Sequence, residues 1–413
     1  MEKDIRVPQK KVVPAALAFL AVFSAAINLR AGIASLGPVL SQTLSAFHAS
    51  GSLAGVLTAM PGLFFALMGI LAVSLAFRFG ISRTLTFGMG LTLLGLVVRP
   101  LVGSISIFLV MTALVVSGIA LSNVLLPAWI KAHGGRNVVA LMTIYGSVLG
   151  LSGALGPLSA LLFEWQGALL VWALPALLQF LVWLWVLFFS PHDSPKHQTD
   201  SASDHSPSSG ENISLWRSRT AVFLMLFFGL QSMTAYIQMG WLPQMYTDAG
   251  ISAQLASIAI ALVGGMNVIG GLVMPTIIDR APTLAPLPLA FGIFTALGYL
   301  GILFVPQTAP LLWALLLGIG GFCFPTALAL IPARTRSPLV TARLSGFVQP
   351  LGYIVAALGP LLVGIFYQHA GTWTGILWAL ILCAVAMSAV GLRASRSVYI
   401  DDELAAAKQK LLA

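Results

Sequence analysis

Long apolar runs separated by short polar breaks dominate the chain. Twelve of them lie near 14–36, 52–76, 84–103, 106–130, 138–162, 168–190, 219–241, 252–278, 286–305, 310–332, 340–366 and 373–393. A helix needs about 20 mostly apolar residues to cross a bilayer. A closed barrel would show short alternating segments instead, and these runs are continuous. The pattern predicts an all-α membrane protein with 12 transmembrane helices.

One polar stretch interrupts the series. Residues 191–216 read PHDSPKHQTDSASDHSPSSGENISLW. Ser, Pro, Asp and His cannot bury enough apolar surface to fold, so a flexible linker is expected. It divides the chain into an N-terminal six-helix bundle (1–190), a linker (191–217), a second six-helix bundle (218–395) and a tail (396–413).

Composition agrees. Apolar residues make up 58% of the 413 and charged residues 8%, with a mean hydropathy of +0.96. A soluble domain carries roughly 25% charged residues. The net charge of +9 invites a nucleic-acid partner, but its distribution argues otherwise. With the N-terminus inside, 19 of the 21 Lys and Arg residues fall on the cytoplasmic side. That asymmetry is a topology signal. It predicts a multi-pass protein of the cytoplasmic (inner) membrane, both termini cytoplasmic, with the bilayer and a small solute as partners, no nucleic acid, and a monomeric state. The first span is read as a retained helix, since it runs on through Asn28-Leu29-Arg30 without a clean cleavage pattern. Cys323 and Cys383 lie inside apolar runs, and the six histidines, including His192, His197 and His205 of the linker, fit no metal spacing. No metal or other cofactor is expected.

The two halves are related at an offset of about 205 residues. Leu126-Pro127-Ala128 matches Ile331-Pro332-Ala333, and Gly156-Pro157-Leu158 matches Gly359-Pro360-Leu361. Trp172-Ala173-Leu174 matches Trp378-Ala379-Leu380, and Pro38 after span 1 matches Pro243 after span 7. Two pseudo-symmetric six-helix bundles resemble the major facilitator superfamily. The resemblance implies a solute site near the midplane between rocking halves, lined by spans 1, 4, 7 and 10 with help from 2, 5, 8 and 11.

Local motifs sharpen it. The loop after span 2 keeps Arg78, Gly80 and Arg83 of a superfamily motif but has Phe77 where an acid belongs, and the loop after span 8 keeps Asp279-Arg280. The resemblance makes Arg78, Arg83, Asp279 and Arg280 cytoplasmic gate residues; topology anchoring alone is the competing reading. Asn28-Leu29-Arg30 in span 1, Asn123-Val124-Leu125-Leu126-Pro127 in span 4 and Gly240-Trp241-Leu242-Pro243 ending span 7 are similar to the CynX/NimT family of cyanate and 2-nitroimidazole transporters. Ala31 stands where such proteins commonly have proline, which predicts a straighter helix after the arginine.

Ionisable groups inside a membrane are costly and functional by default. Arg30 is the leading candidate. Counting from Lys11 at ~1.5 Å per residue gives a rise of about 28 Å, which puts it in the outer half unless span 1 continues past Gly37. It is read as a guanidinium binding an anionic or nitro oxygen, against snorkelling to the interface. Arg99, also near the outer face, is read as snorkelling or ion-paired. The remaining candidate lining is Asn28, Asn123, Tyr145, Gln231, Tyr236, Gln238, Asn267, Gln349 and Tyr353, whose amides and phenols can hydrogen-bond a small polar solute. Trp241 caps the cavity or joins the interfacial belt. All twelve Asp and Glu residues lie in tails, loops or span ends.

These features point to a secondary active transporter of a small polar or anionic organic solute. The alternative is a multidrug or nitroaromatic exporter, suggested by Met60, Phe64, Phe228, Met233 and Phe324. An enzyme is not expected, because no intramembrane histidine, carboxylate cluster or metal motif supplies a catalytic constellation.

Overall fold

A computed structural model describes residues 13–190, 193, 213–336 and 338–412. The three linker histidines and the side chain of Asp279 lie outside the described residues. Among the described residues there is helix and no strand. Twelve helices are long and apolar enough to span a bilayer: Ala15–Ala34, Ser52–Phe79, Ile81–Leu101, Ile105–His133, Gly135–Leu161, Trp165–Phe189, Arg219–Asp248, Ala253–Met274, Pro286–Phe304, Pro310–Ala333, Arg343–Ala370 and Thr374–Ala394. They are numbered spans 1–12 below, with span 1 taken to include its helical continuation to Ala46.

Local chemistry explains the ends. Pro286 and Pro310 open spans 9 and 10, where the missing N–H costs nothing. The side chains of Ser218 and Ser252 cap spans 7 and 8. Inside the spans, buried hydroxyls such as Thr92, Thr112, Ser122 and Thr295 bond the carbonyl four residues earlier and so satisfy themselves within their own helix. Leu63, Ile70, Phe87, Leu174, Phe188 and Leu382 stay exposed, as a lipid-facing surface requires.

Two boundaries move, in the same way in both halves. The helical chain of span 1 continues through a segment Leu36–Ala46, and span 7 continues to Asp248. Pro38 and Pro243 therefore lie inside these helices and do not follow them. Membrane helices tolerate proline because neighbours satisfy the freed backbone groups. The extension puts Arg30 midway along span 1.

Span 1 is built from three pieces, Ala15–Ala26, Asn28–Ala34 and Leu36–Ala46, with irregular steps at Ile27 and Ser35. Span 10 is likewise divided, into Pro310–Gly320 and Cys323–Ala333.

The halves meet chiefly through span 2 against span 11 and span 5 against span 8. The contacts are tight at the end away from the basic loops. A Cβ on Gly37 would sit 2.0 Å from the Met239 carbonyl oxygen, and one on Gly62 would reach the Ala357 nitrogen at 2.8 Å. Hydrogen bonds also cross there: Trp241 Nε1 donates to Thr58 Oγ1 at 3.0 Å, and the Ser52 amide to Gln368 Oε1 at 2.8 Å. At the basic end the halves part. Gly69 and Gly346, on the basic-end halves of spans 2 and 11, face open space. The two halves are thus packed together at one end and apart at the other.

The basic end carries two acidic staples. In the first half Asp193 accepts from the Ser82 amide (3.0 Å) and hydroxyl (2.6 Å) at the start of span 3, with His133 Nε2 at 3.7 Å. In the second, a tail helix Ile400–Leu412 lays its acidic first turn on the start of span 7 and on the loop after span 10.

Candidate functional site

Two of the interrupted spans, 1 and 10, face each other. Arg30 lies just past the irregular step in span 1, and Phe324 just past the break in span 10. The Arg30 guanidinium carbon is 6.0 Å from the Phe324 ring centroid. Between them opens a central cavity of about 230 Å³.

Six of the expected lining residues share its wall: Arg30 from span 1, Gln231, Tyr236 and Gln238 from span 7, Asn267 from span 8 and Tyr353 from span 11. Their positions are held by packing and local bonds. Tyr353 sits among Phe65 (5.3 Å), Phe228 (5.1 Å) and Tyr236 (6.4 Å). Gln231 Nε2 donates to Ser232 Oγ, Gln238 Nε2 to the Tyr299 hydroxyl and Asn267 Nδ2 to the Val263 carbonyl.

Arg30 differs from all of them. Its backbone N–H donates to Ser152 Oγ at 3.2 Å, but among the described residues its guanidinium has no hydrogen bond and no ion pair. Among the described residues, no Asp, Glu, Lys or His shares the cavity wall. The cavity therefore presents one cation whose donors are free.

The other expected lining residues sit elsewhere. Asn28 is two residues from Arg30, hence about 200° around the helix. It is 1% exposed, and its amide atoms have no partner among the described residues. Its neighbour one turn on, Gly32, faces Leu96, Val115 and Ile119, so this stripe looks into the first bundle. Asn123 and Tyr145 pair with each other at 3.4 Å beside the cavity, outside its wall. Gln349 lines a separate cleft of about 680 Å³ between spans 10 and 11 at the basic end, donating to Ser345 Oγ at 2.7 Å. Gln349 lies one turn below Tyr353, and that step carries it out of the central cavity.

Arg99 does not snorkel, and among the described residues it forms no ion pair. It is 1% exposed, and Nη2 donates to the Gly32 carbonyl at 2.9 Å. Trp241 is 2% exposed and joins spans 7 and 2, which removes it from any lipid interface. Arg78, Arg83 and Arg280 are exposed at the basic end, and no ion pair engages them among the described residues. The acid missing at Phe77 has a local substitute, since Asp193 grips the same loop.

Sequence reasoning overlooked two features. Phe322 joins Phe324, named above only for the exporter alternative, in the span 10 wall; the Gly320-Gly321 pair was the available signal for the break that exposes Phe322. Ser152 reaches from span 5 into span 1, and nothing in its spacing announced that contact.

A sequence profile described as Major Facilitator Superfamily matches residues 17–360. The chain belongs to the major facilitator superfamily. It is 32% identical to the 2-nitroimidazole transporter of Escherichia coli, over 91% of this chain and 94% of that one. It is 31% identical to the uncharacterized transporter YycB of Bacillus subtilis over 95% and 97%, and 27% identical to the E. coli cyanate transport protein CynX over 89% and 94%. Among solved structures, the nucleoside transporter NupG superposes with a TM-score of 0.72 at 12% identity, over 93% of this chain and all (100%) of that one. A D-xylose–proton symporter gives 0.70 at 16%, over 93% and 97%. At such identities these structures share the fold alone. The protein is a multi-pass membrane transporter of this superfamily.

Proposed function

We propose that the protein carries a small polar or anionic organic solute across the cytoplasmic membrane by alternating access, with Arg30 as the residue that holds the solute's anionic or nitro oxygens. The observation that carries this reading is the unengaged guanidinium at mid-span in a cavity without a carboxylate. A charge held at mid-span without an acidic partner is costly, so a bound oxyanion is strongly favoured there. Relatives named for cyanate and 2-nitroimidazole transport are consistent with it.

The two halves, 1–190 and 218–395, act as the moving bodies joined by the linker. The positive-inside rule supports a cytoplasmic position for the basic, open end and both termini, and with it an inward-facing conformation. The aromatic cavity wall and the nitroimidazole relative support export of nitroaromatic compounds as a second reading.

A thermal-shift screen of purified protein tests the site. A ligand that binds only the folded state raises its stability. Small anions, nitroimidazoles and cationic drugs are compared on wild type and Arg30→Ala. Stabilisation by one class, lost in the folded variant, is the expected result. Stabilisation retained in the variant moves the site to the polar groups of spans 7 and 11.

A further inference from the structure

We infer that the solute is a single-ring aromatic monoanion of the benzoate type, its carboxylate on Arg30 and its ring against the span 10 aromatic wall. This rests on the reading that Arg30 holds the solute.

Charge comes first. The wall offers one full positive charge and no acid. A monoanion neutralises it, a dianion leaves a buried negative charge, and a cation adds a second positive one. A neutral solute leaves the guanidinium uncompensated. The planar fork of an arginine matches a carboxylate bidentately, in the strong class of hydrogen bonds.

Size and wall chemistry set the rest. Pockets for drug-sized ligands run from about 300 Å³ upward, and this cavity of about 230 Å³ falls just short. A three-atom ion such as cyanate would leave most of it unfilled, and an inorganic anion has no use for apolar walls. The wall beside Arg30 is aromatic: Phe324 at 6.0 Å, with Phe322, Tyr236 and Tyr353 around the same space. Spans 5 and 8 contribute glycines, of which Gly146 and Gly271 face open space. Their lack of side chains leaves room for a planar ring. Rings pack on aromatic faces with a gain beyond burial alone.

The test uses full-length protein in detergent, with unfolding midpoints read against benzoate, benzamide, benzylamine, acetate, cyanate and 2-nitroimidazole. Arg30→Ala, Arg30→Lys and Phe324→Ala are run beside wild type. Benzoate is expected to bind at least ~10-fold more tightly than benzamide, the equivalent of one charge-assisted hydrogen bond, and at least ~10-fold more tightly than acetate or cyanate. Arg30→Ala is expected to abolish the benzoate shift, Arg30→Lys to weaken it, and Phe324→Ala to weaken benzoate several-fold while leaving acetate unchanged.

Benzamide or 2-nitroimidazole binding as well as benzoate, both lost in Arg30→Ala, overturns the monoanion while the Arg30 site stands. Acetate equal to benzoate overturns the aromatic ring. Benzoate binding retained by folded Arg30→Ala overturns the Arg30 site and this proposal with it. No shift at about 10 mM benzoate, which saturates even a ~1 mM site, overturns the proposal alone if another anion gives an Arg30-dependent shift.

Discussion

The Ser152 hydroxyl is inserted into the backbone ladder of span 1 at Ala31. Ser152 Oγ accepts from the Ala31 amide at 2.8 Å and from the Arg30 amide at 3.2 Å, and donates to the Ile27 carbonyl at 2.6 Å. A side chain from span 5 thereby takes the place of the direct bond between Ala31 and Ile27. Ala31 can supply that N–H, where a proline could not. The arrangement fixes the turn that carries Arg30.

Ser152→Ala removes the bridge from a fully buried site. It leaves two backbone donors and one acceptor to find other partners, a cost of about 1–3 kcal/mol. The unfolding midpoint is expected to fall, and solute affinity to fall with it because the Arg30 turn loses its anchor. Combining Ser152→Ala with Arg30→Ala is expected to cost no further affinity. Independent losses in the double variant would show that Ser152 does not act through Arg30.

Thr58 and Trp241 close the end opposite the basic loops. The indole N–H donates to Thr58 Oγ1, and both residues are buried. Thr58→Val removes the acceptor and leaves the indole donor unpaired in this state only. A penalty of about 1–3 kcal/mol on one state shifts a two-state equilibrium roughly 5- to 150-fold toward the other. Leu36→Cys, buried at the same closure, is expected to react faster with a membrane-impermeant maleimide when Thr58→Val is also present. Unchanged labelling would mean that the bond is not part of the closure.

Gly80 and Asp193 form a matched pair. Gly80 has φ +95°, and a Cβ there would lie 2.7 Å from Asp193 Oδ1. Gly80→Ala is therefore strained by its backbone and also by the carboxylate. Asp193→Ala loses the bonds to the Ser82 amide and hydroxyl at the positive end of span 3, worth about 1–2 kcal/mol. Both single variants are expected to lower the unfolding midpoint. The double variant is expected to lose less than their sum, because removing the carboxylate removes the clash. Strict additivity in a double-mutant cycle would deny the contact.

The spans were legible because a continuous apolar run of some twenty residues has one stable solution in lipid. What a run cannot encode is rotation and depth. Asn28 and Arg30 are two residues apart, yet one looks into the bundle and the other into the cavity. Gln349 and Tyr353 share a face, yet one turn separates the basic-end cleft from the central cavity. Arg99 was legible as a buried-charge problem, but its partner is a backbone carbonyl of Gly32, and a carbonyl leaves no mark in a sequence. The span ends at Pro38 and Pro243 were misplaced because proline punctuates soluble helices more strictly than membrane ones.

The tail helix gives the sharpest contrast between contacts that look strong and contacts that hold. Arg336 makes a bidentate pair with Asp402, both bonds 2.9 Å, but the two side chains are 58% and 54% exposed. Exposed pairs contribute about 0–1 kcal/mol and are screened by salt. Glu403 accepts instead from the Ser218 hydroxyl and from the amide and hydroxyl of Thr220 at the start of span 7, and Leu404 beside it is 3% exposed in the second-half core. Leu404→Ala is expected to cost about 2–5 kcal/mol as a buried truncation, and Glu403→Ala about 1–3 kcal/mol through the donors it strands. Asp402→Asn is expected to shift the unfolding midpoint little, and less still at 0.5 M salt. An Asp402→Asn loss as large as that of Leu404→Ala would mean that the tail is held by its surface charges and not by its buried face.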